Sequence, residues 1–360
     1  MIRIIPGNCL DVLPTLDAGS VQCCVTSPPY FGLRSYLPAG HPDKALEIGG
    51  EATPEEYVAR LVDVFRGVRR VLRDDGTVWL NLGDSFGRGK RTKWSGDAAR
   101  GTNAHAEVSA VGSYAAGAVL PDKQLLMIPA RVAIALQDDG WYLRADNIWG
   151  KPNGMPDSTT DRTTRAHEYV FLLSKKARYF YDHEAVRTAP KASTQTQLAK
   201  PYLGESMKPH AANGVQNASD IKRRIVEKAR KPPSPKYVGQ DKQRGHSPRH
   251  AGFNDRWDAA EAAGQVAEGG NLRSVWWISP AQYAEAHFAV MPNQVAEICI
   301  RAGSRPGDTI LDPFSGAGTT ALVADQLGRN AIGIELHPDY PEMSRKRIQA
   351  DAGMFAEVRS

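Results

Sequence analysis

Nearly continuous apolar runs recur at Val21-Gln22-Cys23-Cys24-Val25, Thr77-Val78-Trp79-Leu80-Asn81-Leu82 and Thr309-Ile310-Leu311. Short runs of this kind, bounded by turn residues, read as strands buried on both faces. Arg3–Ile5, Trp141–Trp149 and Ala331–Glu335 read as further strands. Tyr169–Leu173 with Tyr179–Tyr181 reads as a hairpin. Between these runs the period changes. Tyr57, Leu61, Val64, Phe65, Val68 and Leu72 share one face of a helix that Pro54 opens, Thr53 caps and Asp75-Gly76 ends. Cys9–Leu13, Lys123–Leu136, Gln294–Ala302 and Thr320–Leu327 read as helices too. Strands alternating with helices predict an α/β fold: a doubly wound, mostly parallel sheet covered on both faces. Ligands of such sheets bind beyond the carboxyl ends of the strands, at a switch point of the topology.

Two segments at predicted strand ends carry candidate chemistry. The first is Thr26-Ser27-Pro28-Pro29-Tyr30. Two prolines fix φ near −65° and supply no N–H, and each pushes its predecessor to an extended conformation. The turn is therefore stiff, with outward-pointing oxygen acceptors beside an aromatic ring. That combination suits a flat substrate bearing an NH₂ group, such as a nucleobase. The second is Asp312-Pro313-Phe314-Ser315-Gly316-Ala317-Gly318-Thr319-Thr320, a glycine loop between a strand and a helix. Gly316 and Gly318 allow the backbone to approach a ligand closely. No Lys follows the glycines as in a phosphate-binding Walker loop, and the full three-glycine dinucleotide fingerprint is absent. One strand and helix later, Glu335 sits where an acid can accept both hydroxyls of a ribose.

Together these segments resemble the amino-group DNA methyltransferases that use S-adenosylmethionine. Asn147–Asn153, Arg162 and Arg165–Lys175 are similar to that family's middle region. Ser274–Ile278 and His287–Pro292 are similar to the segment before its cofactor loop. The catalytic motif precedes the cofactor motif, which matches the family's β arrangement. The resemblance implies the S-adenosylmethionine-dependent methyltransferase fold, with Ser27, Pro28, Pro29 and Tyr30 catalytic. It implies S-adenosylmethionine held by Asp312, Phe314, Ser315, Gly316, Gly318, Thr319 and Glu335, with His287 and Phe288 close by. Double-stranded DNA would be the partner, and a homodimer is expected from the family's habit of reading short sites.

Composition refines this picture in one respect. The chain has 360 residues, 41% hydrophobic and 24% charged, and a net charge of +5, ordinary for one large α/β core with an insertion. Residues 187–256 hold 15 Lys and Arg against 5 Asp and Glu, which leaves 30 against 35 elsewhere. Composition alone reads this segment equally as a solvated linker. Inserted in a methyltransferase core, it reads as a DNA-recognition region, with Lys222, Arg223, Arg224, Lys228, Arg230 and Lys231 neutralising phosphates. Lys151, Arg162 and Arg165 are further candidate phosphate contacts. The expected organisation is a catalytic half at 1–186 with a mobile loop at 84–120, a basic insert at 187–270, and a cofactor half at 271–360. Four cysteines show neither metal spacing nor a disulfide framework, so no metal and a reducing cytoplasm are expected. No run is long enough to span a membrane.

The implied reaction is attack of a flipped base's exocyclic amine on a sulfonium methyl. Ser27 and the Pro28 carbonyl would hold the NH₂, and Tyr30 would stack on the base. The resemblance leans the target to adenine N6, the family's commoner product; cytosine N4 is the alternative, because Ser27 stands where many adenine-specific relatives carry Asp. A catalytically silent DNA-binding protein on the same fold is the competing reading from another class. Methyltransferases of RNA or of protein glutamine place their loops in the reverse order. A nicotinamide oxidoreductase would leave Ser-Pro-Pro-Tyr unexplained.

Overall fold

The computed structural model describes residues 1–33, 35–38, 40–87, 121, 123–154, 157–188, 270–280, 291–352 and 358–359. These include nine strands: β1 (Ile2–Pro6), β2 (Val21–Thr26), β3 (Leu72–Leu82), β4 (Tyr142–Gly150), β5 (His167–Ser174), β6 (Val275–Trp277), β7 (Thr309–Asp312), β8 (Asn330–Glu335) and β9 (Val358–Arg359). They form one sheet in the order β6-β4-β5-β3-β2-β7-β8-β1-β9. Pairing is parallel everywhere except along β5, which runs antiparallel to both β3 and β4.

The helices are α1 (Cys9–Val12), α2 (Pro54–Val71), α3 (Ile128–Asp138), α4 (Asn293–Gly303), α5 (Thr319–Gln326) and α6 (Tyr340–Ala352). Two apolar layers explain why the central strands carry no polar face. On one side Cys24, Val78, Leu80, Leu82 and Leu311 pack with Tyr57, Leu61, Phe65 and Val68 of α2 and with Val132 and Leu136 of α3. On the other, Cys23, Val25, Trp79 and Ile310 pack with Val295, Cys299 and Ile300 of α4 and with Ala321 and Leu322 of α5. Successive side chains of β2 thus enter opposite layers, and all six of its residues are buried. The doubly wound expectation holds.

Three local expectations differ from the structure. Tyr179–Tyr181 forms no strand. Both edges of β5 are already taken by β3 and β4, and the Phe180 N–H instead donates to the Asp75 carbonyl at 2.8 Å. Helix α2 stops at Val71, because Leu72 turns extended (φ −71°, ψ 138°) and begins β3. Gly76 is therefore a strand residue, where a Cβ would lie 2.8 Å from the Gln22 carbonyl oxygen. Helix α3 starts at Ile128 rather than Lys123, since Lys123 and Met127 hold left-handed φ of 65° and 56°.

The chain divides into two compact units, Met1–Val186 with Asn271–Ser360, and Arg187–Gly270. Of the second, residues 189–269 lie outside the described set.

Candidate active site

The strands fix the site by where they end. β1, β2, β3, β4, β7 and β8 all finish on one edge of the sheet, and antiparallel β5 starts there. Leaving β2 the chain crosses to β3, whereas from β7 it crosses to β8 on the opposite side. The boundary between β2 and β7 is thus the switch point where a crevice forms. The proline motif leaves β2 at this boundary, and the glycine loop leaves β7.

A buried hydrogen bond joins the two. The Thr26 hydroxyl donates to Asp312 Oδ1 at 2.6 Å. Asp312 also accepts the Phe314 N–H at 3.0 Å, and the Thr320 hydroxyl donates to the Val25 carbonyl at 3.2 Å. Burial raises the Asp312 carboxyl above its usual range, while the bonds from Thr26 and Phe314 act in the other direction.

On the glycine-loop side, Gly316 and Gly318 take left-handed φ of 51° and 75°. At Gly318 a Cβ would come 1.9 Å from Ser344 Oγ of α6, so only glycine fits there; at Gly316 none of the described residues lies within 4 Å of a Cβ. Glu335, at the tip of β8, accepts the Gly316 N–H at 2.6 Å through one carboxylate oxygen. Its other oxygen accepts the His337 N–H at 2.8 Å. Each oxygen retains capacity for a second bond, which is what a ribose diol requires. Ser315 Oγ is buried against Gly333 and has no partner among the described residues. The Thr319 hydroxyl accepts from Arg347 at 3.0 Å, and Phe314 is half-buried against the α2–α3 layer. His287 and Phe288 lie outside the described residues.

On the proline side, Pro28 is buried and Ser27, Pro29 and Tyr30 are partly so. The Tyr57 hydroxyl of α2 donates to the Pro29 carbonyl at 2.8 Å. The Ser27 hydroxyl lies 3.5 Å from the Tyr30 hydroxyl, which reaches Glu168 Oε2 at 2.5 Å. Burial first, and then the Glu168 charge, push the Tyr30 phenol far above its ordinary value. It therefore stays protonated and donates.

Sequence reasoning passes over three residues of this edge: Thr26, Asn81 and Glu168. Asn81 leaves a signal, being the one amide in the apolar run of β3; it is buried and donates to Glu168 Oε2 and to the Tyr169 carbonyl, each at 3.1 Å. Asp84 caps a helix: its Oδ1 accepts the Ile128 N–H that opens α3, at 2.9 Å. The candidate phosphate contacts of this region have partners within the chain. Lys151 pairs with Glu168 and lies 4.5 Å from the Trp149 ring. Arg162 pairs with Asp157 at 2.7 Å, and Arg165 approaches Asp84 at 3.4 Å. Lys222, Arg223, Arg224, Lys228, Arg230 and Lys231 lie outside the described residues. Among the described residues no cluster of His, Cys, Asp and Glu could hold a metal ion.

Glu335 sets a pH dependence. Burial raises its carboxyl from about 4.5 to about 7, with Asp312 adding to the rise and the His337 and Gly316 N–H groups opposing it. Between those values the folded chain binds more protons than the unfolded one, so this residue makes stability fall as pH rises from about 4.5 to about 7. In urea unfolding at pH 5 and pH 8, Glu335→Gln should gain on the wild type at the higher pH. An unchanged difference would show that Glu335 is not buried in this way.

Comparison with known proteins agrees with this geometry. The N6/N4 DNA methylase family model matches residues 21–346. The Type II methyltransferase M.SmaI of Serratia marcescens is 37% identical over 346 residues, 96% of this chain and 90% of that protein. M.Cfr9I of Citrobacter freundii is 36% identical over 345 residues, 96% and 87% of the two. Among solved structures, a proposed DNA modification methylase of Thermus thermophilus, complexed with S-adenosyl-L-methionine, shares the fold with a TM-score of 0.53 and 21% identity, covering 99% of this chain and 98% of that one. PvuII DNA methyltransferase (cytosine-N4-specific) does so with a TM-score of 0.51 and 18% identity, over 99% and 93%. Relatives at this identity along almost the whole chain, and a family model reaching from β2 into α6, establish that the protein belongs to the N6/N4 DNA methylase family, the amino-group methyltransferases of DNA.

Proposed function

We propose that the chain transfers a methyl group to the exocyclic amine of a DNA base turned out of the duplex, adenine N6 or cytosine N4, with S-adenosylmethionine as donor. The observation that carries this reading is the Thr26–Asp312 bond, which ties the amine-holding turn to the cofactor loop across the switch point. S-adenosylmethionine, when bound, supplies an electrophilic sulfonium methyl. Glu335 would accept its ribose hydroxyls, and Asp312, Phe314, Ser315, Gly316, Gly318 and Thr319 form the loop around it. The space that the described residues leave at Gly316 and the unfilled capacity of the Glu335 carboxylate support this fit.

The chain's own task is positioning. An exocyclic amine is a weak nucleophile because its lone pair is delocalised into the ring. Acceptor bonds from its N–H groups to Ser27 Oγ and the Pro28 carbonyl would hold the nitrogen in line with the methyl and favour a more tetrahedral geometry. Adenine and cytosine present the same amine beside a ring nitrogen, so the turn serves either. Extruding the base costs a few kcal/mol of unstacking, which contacts to Tyr30 and the surrounding edge offset.

The basic segment 187–256 supplies phosphate contacts in this reading, and a homodimer and a cytoplasmic setting belong to it. The four cysteines are buried free thiols, which fits a reducing compartment. Among the described residues no helix is long and apolar enough to cross a membrane.

Digestion of treated DNA to nucleosides, followed by mass spectrometry, should give N6-methyladenosine or N4-methylcytidine in deoxy form and thereby name the base. Ser27→Ala and Tyr30→Ala should abolish most of that product while cofactor affinity stays near wild type. Unmodified DNA with the wild type would leave a silent DNA-binding protein. Phosphate contacts in the basic segment predict that log affinity for DNA falls linearly with log salt, each contact adding about −0.9 to the slope. Charge reversal at Lys222, Arg223 and Arg224 should flatten that slope; an unaltered slope would place DNA binding elsewhere.

A further inference from the structure

A carboxylate at the start of β5 is the centre of a polar cluster that the methyl-transfer scheme leaves unused. Glu168 is only 13% exposed and Lys151 22%, and a carboxylate so placed needs several donors. It has three, from three different elements. Tyr30 donates from the turn after β2 at 2.5 Å, Asn81 from β3 at 3.1 Å, and Lys151 from the chain after β4. Lys151 is itself held against the Trp149 ring. The Tyr30 ring is confined on another side too, since a Cβ on Gly83 would come 2.5 Å from its Cε2. Its backbone carbonyl is crowded by Gly49, where a Cβ would lie 3.2 Å away.

We propose that Glu168, charge-balanced by Lys151, is a positioning residue that fixes the Tyr30 ring against which the extruded base is held. Lys151 thus acts inside the site instead of on the DNA backbone. Glu168 touches neither base nor cofactor; it acts through the Tyr30 hydroxyl. The bond is charge-assisted, so it is shorter and about twice as strong as a neutral one, and the raised phenol keeps the proton on Tyr30. With its hydroxyl pinned at Glu168, its ring edge against Gly83 and its backbone against Gly49, Tyr30 keeps one orientation before DNA arrives.

The inference rests on the methyltransferase reading, and the wild-type control separates the two: product from the wild type upholds that reading whatever the variants do. Single-turnover methylation at saturating DNA and S-adenosylmethionine is the measurement, with calorimetric cofactor affinity and the salt slope of DNA binding beside it. Glu168→Ala should slow the step by about 100-fold, the order of loss expected from a displaced positioning group. Cofactor affinity should stay within about threefold, because no cofactor-loop bond is altered. Glu168→Gln keeps an acceptor for Tyr30 and should recover to within about tenfold of wild type, as a neutral bond replaces a charged one. Tyr30→Phe combined with Glu168→Ala should be no slower than the slower single variant, since both cut the same link. Lys151→Met should lower the rate and leave the salt slope unchanged. Full activity in Glu168→Ala, additive losses in the double variant, or a salt slope flattened by Lys151→Met would each overturn the proposal. Loss of cofactor binding in Glu168→Ala would assign Glu168 to folding and overturn it as well. A Glu168→Gln variant as slow as Glu168→Ala would overturn it too, because the charge, not the placement of Tyr30, would then be what matters.

Discussion

The hydrogen bond from Thr26 to Asp312 is the constraint on which the site depends. It lies in the interior, where an unpaired carboxylate or hydroxyl is costly to bury, and each group answers the other's need. Its two partners are 286 positions apart in sequence, at the ends of adjacent parallel strands. Because β2 and β7 diverge to opposite sides after this point, the bond sits at the base of the crevice. The proline turn rises from one end of it and the glycine loop from the other. In the proposed reaction the sheet thereby sets the distance between the reacting groups.

The motifs are legible from the sequence because they are local. Two consecutive prolines restrict a turn wherever they occur, and Gly316 and Gly318 announce backbone that other residues rarely adopt. Their order along the chain points to the family before any contact is known. The central strands are legible for a similar reason, since a strand buried on both faces must be apolar at successive positions. The helix ends are less so. Leu72 keeps the helical spacing of α2 yet starts β3, because strand pairing with Val21 overrides local periodicity.

What the sequence does not display is the layer of polar residues behind the motifs. Nothing local says that Glu168 meets Tyr30 and Asn81, 138 and 87 positions away. Lys151 resembles a phosphate contact because a lysine's charge is visible in sequence and its partner is not. Thr26 opens the proline segment, but nothing local says that its hydroxyl meets Asp312. Each acquires its role from a neighbour that only the sheet order supplies.

In the proposed reaction the sheet sets the geometry through the Thr26–Asp312 bond. Thr26→Val keeps the shape and removes the hydroxyl. The measurement is the single-turnover methylation rate with DNA and S-adenosylmethionine both saturating. A fall of about 10- to 100-fold, in a variant that still folds and whose cofactor affinity is little changed, is the expected result. A rate equal to the wild type would contradict it.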